Sequence, residues 1–178
     1  EKEFIFGFEE SCGYLRGTHA RDKDAVVASM LFAEMTCFYQ YIGKSVYGRL
    51  CEIYEKYGYA LDETDSVKYS GLDAMAKMNA CVQKMRDKTV ENIGIYTVSA
   101  TRDYLSGKRK SADGETDMDI KGVNCVYYEL LSGGFICLRP SGTEPKLKIY
   151  YSVRSKDKAH AETQLAELKK EFCKLLEE

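Results

Sequence analysis

The sequence predicts an α+β protein. A C-terminal antiparallel sheet with a covering helix follows a largely helical segment that reads as the remnant of an α/β domain. Three strand-length stretches near the C-terminus, "NCVYYELL", "GGFICLR" and "KLKIYYSV", are rich in β-branched and aromatic residues and separated by short polar breaks. The last stretch before the C-terminus spaces its apolar residues as one face of a helix. Upstream, one short strand is followed only by helical patterns, so its partner strands are missing from this part of the chain.

Taken in order, "EFIFGF" (residues 3–8) reads as a short strand ended by the polar loop "EESCGY". A second polar loop, "GTHARDKD", offers Asp22 or Asp24 as the cap of a helix beginning near Ala25. That helix is apolar on nearly every face, which predicts burial on more than one side, and Gly43 stops it. Ser45 caps the next helix, where Val46, Leu50, Ile53 and Tyr57 share a stripe, and Gly58 ends it. "DETDSVKYS" is extended or loop. Ser70 and Asp73 make a capping box for a helix carrying Leu72, Met75, Met78 or Asn79, Val82 and Met85 along one stripe, a core stripe rather than a binding surface.

"ENIGIYTVSATRDYL" reads as a strand turning polar near Thr101, and residues 106–122 form the longest loop. Ser132, Gly133 and Gly134 make the tight turn between the next two strands. In the last strand Leu147, Ile149, Tyr151 and Val153 share one face, and Lys146, Lys148, Tyr150 and Ser152 the other. Ser155 caps a final helix whose buried stripe is Ala161, Leu165, Leu168, Phe172 and Leu175. The helical remnant covers residues 1–90 and the C-terminal domain residues 91–178, with the boundary near 86–93.

A net charge of −2 over 178 residues gives no global field for nucleic acid or an anionic membrane. An antiparallel sheet with a covering helix is a common RNA-binding platform, but there is no basic patch to go with it. No apolar run approaches membrane-spanning length, and the N-terminus lacks the basic start and apolar core of a signal peptide. Seven cysteines, none in a CxxC pair or at metal-ligand spacing from a histidine, read as reduced thiols used as small hydrophobes in a cytoplasmic protein. The chain opens at once on an apolar strand, as a piece of a larger protein would.

The most informative stretch is "LRPSGTEP". Arg139 stands at a strand end, where its fork can take two oxygens of one phosphate. Ser141 and Thr143 offer hydroxyls, and Gly142 permits positive φ so that successive N–H groups can form a nest. Pro140 and Pro145 stiffen both ends, and Lys146 and Lys148 add positive potential. A hairpin loop of ordinary turn residues fits the same composition equally well.

"RPSGTEPKLKIYY" resembles the phosphate-binding loop of the α-D-phosphohexomutase superfamily, the phosphoglucomutases and phosphomannomutases. "FGFEESCGY" is similar to the family's sugar-binding loop, and "GTHARDKDAVVASMLFAEM" to the segment that follows it. The resemblance covers nearly the whole chain, as the end of the family's third domain and its complete fourth, and implies a TATA-binding-protein-like C-terminal sheet.

What the resemblance implies about sites is specific. Glu9 and Ser11 hold sugar hydroxyls, an arrangement that does not separate glucose from mannose. Gly13 and Tyr14 stand where the dual-specificity branch has a histidine two residues after the serine, so the chain looks closer to the phosphoglucomutase branch. Arg21 and Lys23 match basic residues near the substrate; a capping loop with balanced charges explains them equally well. His19 has no partner at a recognisable spacing, and His160 faces solvent. Arg139, Ser141, Gly142 and Thr143 grip phosphate, with Lys148 either standing in for a second arginine of the family or leaving that contact absent.

The family's phosphoserine loop and Mg²⁺-holding Asp-rich loop are not in this sequence. Asp113, Glu115, Asp117 and Asp119 alternate somewhat like a calcium loop, but the glycine is misplaced and Asn124 stands where the bidentate Glu belongs, so a mobile surface loop is expected instead of a metal site. The expected function is therefore substrate binding within a phosphohexomutase that interconverts hexose 1-phosphate and hexose 6-phosphate through a bisphosphate. No catalytic residue lies in this chain, which would be inactive alone, and Mg²⁺ belongs to the parent enzyme. Expected partners are hexose phosphates, the hexose bisphosphate and the parent's N-terminal domains, with no nucleic acid or membrane. Phosphomannomutase, or a non-catalytic phosphosugar- or anion-binding module, is the alternative.

Overall fold

A computed structural model describes residues 3–9 and 11–177. The described residues up to Lys56 form one compact unit and those from Tyr57 another. This division falls well before the expected boundary near residue 90. The reason is that residues 59–87 are built into the second unit's sheet and core, as described below.

In the first unit, β1 (Phe6–Glu9) pairs antiparallel with β2 (Gly13–Arg16), Phe6 opposite Arg16 and Glu9 opposite Gly13. The sequence suggested only a loop after the first strand; the return strand is short and lacks alternation. Cys12 takes φ 61° in the turn, an unusual conformation for a residue with a side chain. Helix α1 (Ala25–Tyr41) starts at Asp24, whose carboxylate accepts from the amides of Val26 and Val27 at 2.8 and 3.1 Å. Gly43 (φ 72°) closes it, with the Lys44 amide reaching back to the Tyr39 carbonyl at 2.7 Å. Ser45 caps α2 (Val46–Tyr57) through the Gly48 amide at 2.9 Å. The two helices bend by 84°, and neither alone is long and apolar enough to cross a membrane.

The expected burial of α1 is not what the structure shows: none of its residues is fully covered, and Val26, Met30, Phe32 and Phe38 are exposed. A helix apolar all round needs cover on several sides, and within its unit α1 meets only the two-stranded hairpin and, across an open apolar hollow, α2.

The second unit is an antiparallel sheet covered by helices. Its strands are β3 (Tyr59–Lys68), β4 (Asn92–Ile93), β5 (Tyr96–Asp103), β6 (Lys108–Ser111), β7 (Gly114–Asp117), β8 (Val126–Leu130), β9 (Phe135–Pro140) and β10 (Lys146–Ser155). They lie in the order β3-β10-β9-β8-β5-β6-β7, with β4 paired to β5. Here β3 pairs with β10 along its whole length, from Tyr59 opposite Ser155 to Lys68 opposite Lys146. It is an edge strand rich in Asp, Glu, Ser and Thr, and such composition hides a strand from pattern reading. Residues 106–122, expected as a loop, contain the β6–β7 hairpin, whose strands are wholly polar.

Helix α3 (Ala74–Asp87) begins later than the proposed capping box. Asp73 is its N-cap without a side-chain cap bond; its carboxylate pairs with Lys77 at 3.0 Å, and Leu72 is fully exposed. The buried stripe is Ala74, Met78, Val82 and Met85, so the methionines of the stripe at 78 and 85 are core. Helix α4 (Lys158–Glu177) is capped by Asp157, which accepts from the His160 amide at 2.9 Å; Ser155, the expected cap, still belongs to β10.

The core lies between the sheet and these two helices. Leu147, Ile149, Tyr151 and Val153 of β10 face Ala161, Leu165, Leu168 and Phe172 of α4, as the spacing predicts, and Ile136, Leu138, Val126 and Tyr128 continue it. Tyr128 and Tyr151 both meet Phe172 edge-on, at 6.1 and 6.0 Å between centroids. The buried Tyr128 hydroxyl donates to the Met85 carbonyl at 2.8 Å, tying α3 to the sheet. At Gly134 a Cβ would sit 2.2 Å from the Ser152 carbonyl oxygen, so only glycine allows the turn into β9 to lie against β10.

Candidate functional site

The two polar sites that the sequence singles out lie one in each unit. In the second unit, β9 and β10 run side by side until Pro140 and Lys146, and the loop between them closes through local bonds. The Ser141 amide donates to the Lys146 carbonyl at 2.8 Å and the Lys146 amide to the Glu144 carbonyl at 2.7 Å. Ser141 Oγ accepts weakly from the amides of Thr143 and Glu144, at 3.4 and 3.3 Å. The Tyr69 amide, just after β3, donates to the Pro145 carbonyl at 2.8 Å and anchors the loop from its other side.

Beside this loop is a hollow of about 240 Å³ lined by Arg139, Lys146 and Lys148 together with Pro140, Ser141, Gly142 and Glu144. Three cations thus face one carboxylate. Arg139 and Lys148 are direct cross-strand partners, an arrangement of like charges that costs stability unless an anion sits between them. The volume is roughly that of eight water molecules in the liquid, enough for a tetrahedral oxyanion. Gly142 departs from expectation: its φ is not in the left-handed region, and a Cβ there would meet nothing within 4 Å. The loop is therefore no glycine nest. Its turn is held by the Ser141 hydroxyl, and charge comes from the flanking strands. Thr143 is exposed and does not line the hollow.

In the first unit, Glu9 ends β1 and faces Lys23, Oε1 to Nζ 3.2 Å; Lys23 also reaches Asp22 at 3.2 Å. Ser11 Oγ lies 3.5 Å from the other Glu9 oxygen. Glu10 of the same motif lies outside the described residues. The hydrogen bonds and charge of Asp22, and then of Glu9, hold Lys23 protonated above its ordinary range. Arg21 is exposed and forms no ion pair among the described residues. The structure thus brings Glu9, Ser11 and Lys23 together and leaves Arg21 apart.

Gly13 explains how these side chains fit. It is buried, and a Cβ built on it would stand 2.1 Å from Lys23 Cδ and 3.4 Å from Glu9 Oε2. The lysine stem occupies the space a side chain would need, a role that spacing alone does not reveal. His19, which looked unpartnered, pairs with Asp24 at 2.8 Å (Nε2 to Oδ2), while the other Asp24 oxygen caps α1. The His19 bond, with the helix amides, keeps the Asp24 carboxyl below its usual range. The Asp24 amide donates to the Tyr14 carbonyl at 2.8 Å and pins the basic loop to the hairpin. Beside it, Phe6 and Tyr14 with Ala28, Phe32 and Met35 line an apolar cavity of about 670 Å³.

Among the described residues no group of three or more His, Cys, Asp or Glu is placed to hold a metal. In the acidic stretch tested as a calcium loop, Glu115 and Asp117 pair instead with Lys108, at 3.4 and 2.8 Å, across the β6–β7 hairpin. Among the described residues no such group fits Mg²⁺.

Residues 78–171 match the family pattern described as "Phosphoglucomutase/phosphomannomutase, C-terminal domain", and residues 1–57 that of "Phosphoglucomutase/phosphomannomutase, alpha/beta/alpha domain III". The chain is 35% identical over 154 residues to the phosphoglucomutase of Staphylococcus haemolyticus, covering 85% of this chain and 28% of that protein. It is 36% identical over 154 residues to the phosphoglucomutase of a bovine strain of Staphylococcus aureus, covering 86% and 28%. Among solved structures it resembles the open form of the exocytosis-sensitive phosphoprotein pp63/parafusin, a phosphoglucomutase, from Paramecium. The TM-score is 0.61 at 16% identity, over 94% of this chain and 29% of that one, a likeness of fold. The chain spans less than a third of the length of these relatives.

Proposed function

Because the chain belongs to the phosphoglucomutase/phosphomannomutase family, we propose that it is the substrate-binding part of a phosphohexomutase, of the phosphoglucomutase kind. The parent reaction interconverts hexose 1-phosphate and hexose 6-phosphate through a bisphosphate, and the phosphoryl-transferring serine and Mg²⁺ are assigned to no residue here. In this reading the hollow at Arg139 holds the phosphate that is not reacting, while Glu9, Ser11 and Lys23 hold the sugar.

The observation that carries the reading is the pairing of Arg139 with Lys148 across β9 and β10, with Lys146 beside them around one hollow. A site that must accept first one end of a hexose bisphosphate and then the other has to recognise phosphate and ignore the ring. Three strand-borne cations do that: the Arg139 fork takes two oxygens, and Lys146 and Lys148 supply undirected charge. In the sugar site, the Glu9 carboxylate lies 3.2 Å from the Lys23 ammonium, and its two oxygens can accept from two vicinal hydroxyls at once. A phosphomannomutase would use the same contacts, since glucose and mannose share the orientation at O3 and O4.

The test is binding to the chain itself. Adding glucose 1,6-bisphosphate or inorganic phosphate at millimolar concentration is expected to shift the amide NMR signals of residues 139, 141–143 and 146–148. Arg139→Ala should remove the response while the remaining spectrum keeps its dispersion. Unmoved signals in the native chain, or a response unchanged by Arg139→Ala, would sink the assignment. A response to phosphate equal to that for the bisphosphate, with Glu9 and Lys23 unaffected by either, would favour a simple anion-binding module.

A further inference from the structure

The only cysteines among the described residues whose sulfurs lie within hydrogen-bond reach of each other are Cys125 and Cys137, with Sγ atoms 3.2 Å apart. All seven cysteines are free thiols. Cys137 lies within β9, opposite Tyr127 of β8, and Cys125 stands one residue before β8. Continuing the register from Val126 opposite Leu138 sets Cys125 across from Arg139. The two thiols therefore sit diagonally across neighbouring strands on one face of the sheet, the face turned away from the helices.

Both positions are firmly held. The Cys125 carbonyl accepts from the Tyr104 amide at 3.1 Å, and Cys137 is in a strand paired on both sides. Cys125 is 8% exposed and Cys137 half-buried, so the pair is not sealed from solvent. Burial as small hydrophobes would need no such contact between sulfurs, and Cys51 and Cys81, also partly buried, have none.

We infer that Cys125 and Cys137 are a two-electron redox site that a hydroperoxide converts into an intramolecular disulfide. One sulfur, as thiolate, attacks the terminal peroxide oxygen; the O–O bond breaks, hydroxide or alkoxide leaves, and a sulfenic acid remains. The second thiol then attacks that sulfur, an S–S bond forms and water departs. The two thiols lose two protons and two electrons, and the peroxide is reduced to water or to water and an alcohol. A dithiol reductant reverses the change. The sulfurs need to approach by only about 1.2 Å to reach bonding distance, from 3.2 Å to the usual ~2.05 Å.

Electrostatics favours the same pair. The Cys137 hydrogen bond holds the Cys125 thiol below its ordinary range, and the charges of Arg139 and Arg86 push the same way. The Arg86 guanidinium is fixed nearby, paired with Asp103 at 2.9 Å and reaching Asn124 at 2.5 Å. A thiol whose ionisation is eased, beside a second thiol in contact with it, suits the first and second steps.

The inference is tested first on the native chain. After brief treatment with one equivalent of hydrogen peroxide, the remaining thiols are blocked and the peptides mapped by mass spectrometry. The expected result is a peptide pair linked through Cys125 and Cys137, two hydrogens lighter than the reduced pair and restored by dithiothreitol. Cys125→Ser or Cys137→Ser should abolish that linkage, with circular dichroism reporting that each variant is folded. Oxidation confined to exposed Cys12, Cys37 or Cys173, with Cys125 and Cys137 both still open to alkylation in the unfolded sample, overturns it. So does a disulfide joining either residue to any other cysteine.

Discussion

At the scale of single residues, Gly13 is the most constrained position of the hairpin site. Nothing in its backbone requires glycine, since its φ is not in the left-handed region. What requires it is the Lys23 stem, 2.1 Å from where a Cβ would stand. A lysine stem is flexible and can swing aside, so the cost falls on the Glu9–Lys23 contact and not on the fold. Gly13→Ala should therefore change the melting temperature by only a few degrees, a stability change under about 1 kcal/mol. Bisphosphate affinity measured by calorimetry should fall several-fold. A large loss of stability with unchanged affinity would reverse this assignment. The sequence offered Glu9, Ser11 and Lys23 through a motif, but the packing of a methylene chain over a missing side chain has no sequence signature. His19 and Asp24 illustrate the same limit: five residues apart with a bend between them, they meet only once the hairpin is folded.

At the scale of elements, legibility followed burial. The strands and helix whose apolar residues alternate or recur cleanly, β8, β9, β10 and α4, were readable because one face of each is dry. The elements that were missed, β2, β3, β6 and β7, carry few or no buried residues, and their pairing is decided by neighbours. Polar ties do for some of these strands what burial does for the others. Glu129 of β8 receives Arg109 of β6, at 2.8 and 2.9 Å, and Arg102 of β5, so one carboxylate joins three strands. The Arg109 bonds, then those of Arg102, outweigh partial burial and bring its carboxyl from an ordinary 4.5 down to about 2. A carboxyl whose folded value is depressed stabilises above the ordinary value and loses that contribution as pH falls from about 4.5 toward 2. Partial exposure discounts its size. Thermal melts of the native chain and Glu129→Gln should differ most at pH 6–7 and converge near pH 2–3; a constant gap across that range would exclude this role.

At the scale of the whole molecule, the two units have unequal means of support. The second owns a continuous core of Met, Tyr, Val, Ile, Leu and Phe side chains between sheet and helices, whereas none of the first unit's helical residues is fully covered. A chain trimmed to residues 57–178 should melt cooperatively with dispersed amide signals. One starting at residue 91, where the sequence pattern put the boundary, lacks β3 and the Met78–Val82–Met85 stripe and should not. Equal melting of the two trimmed chains would show that β3 and α3 are dispensable.

One consequence of this layout concerns β3. Its first residue lies just past the junction between the units, and its last is succeeded by Tyr69, whose amide donates to the Pro145 carbonyl beside the hollow at Arg139. Ten paired residues make a rod of about 34 Å between those two points. It is laced to β10 along its full length, so displacing either end costs ladder hydrogen bonds. The junction between the units and the turn beside Arg139 thus lie at the two ends of one paired strand.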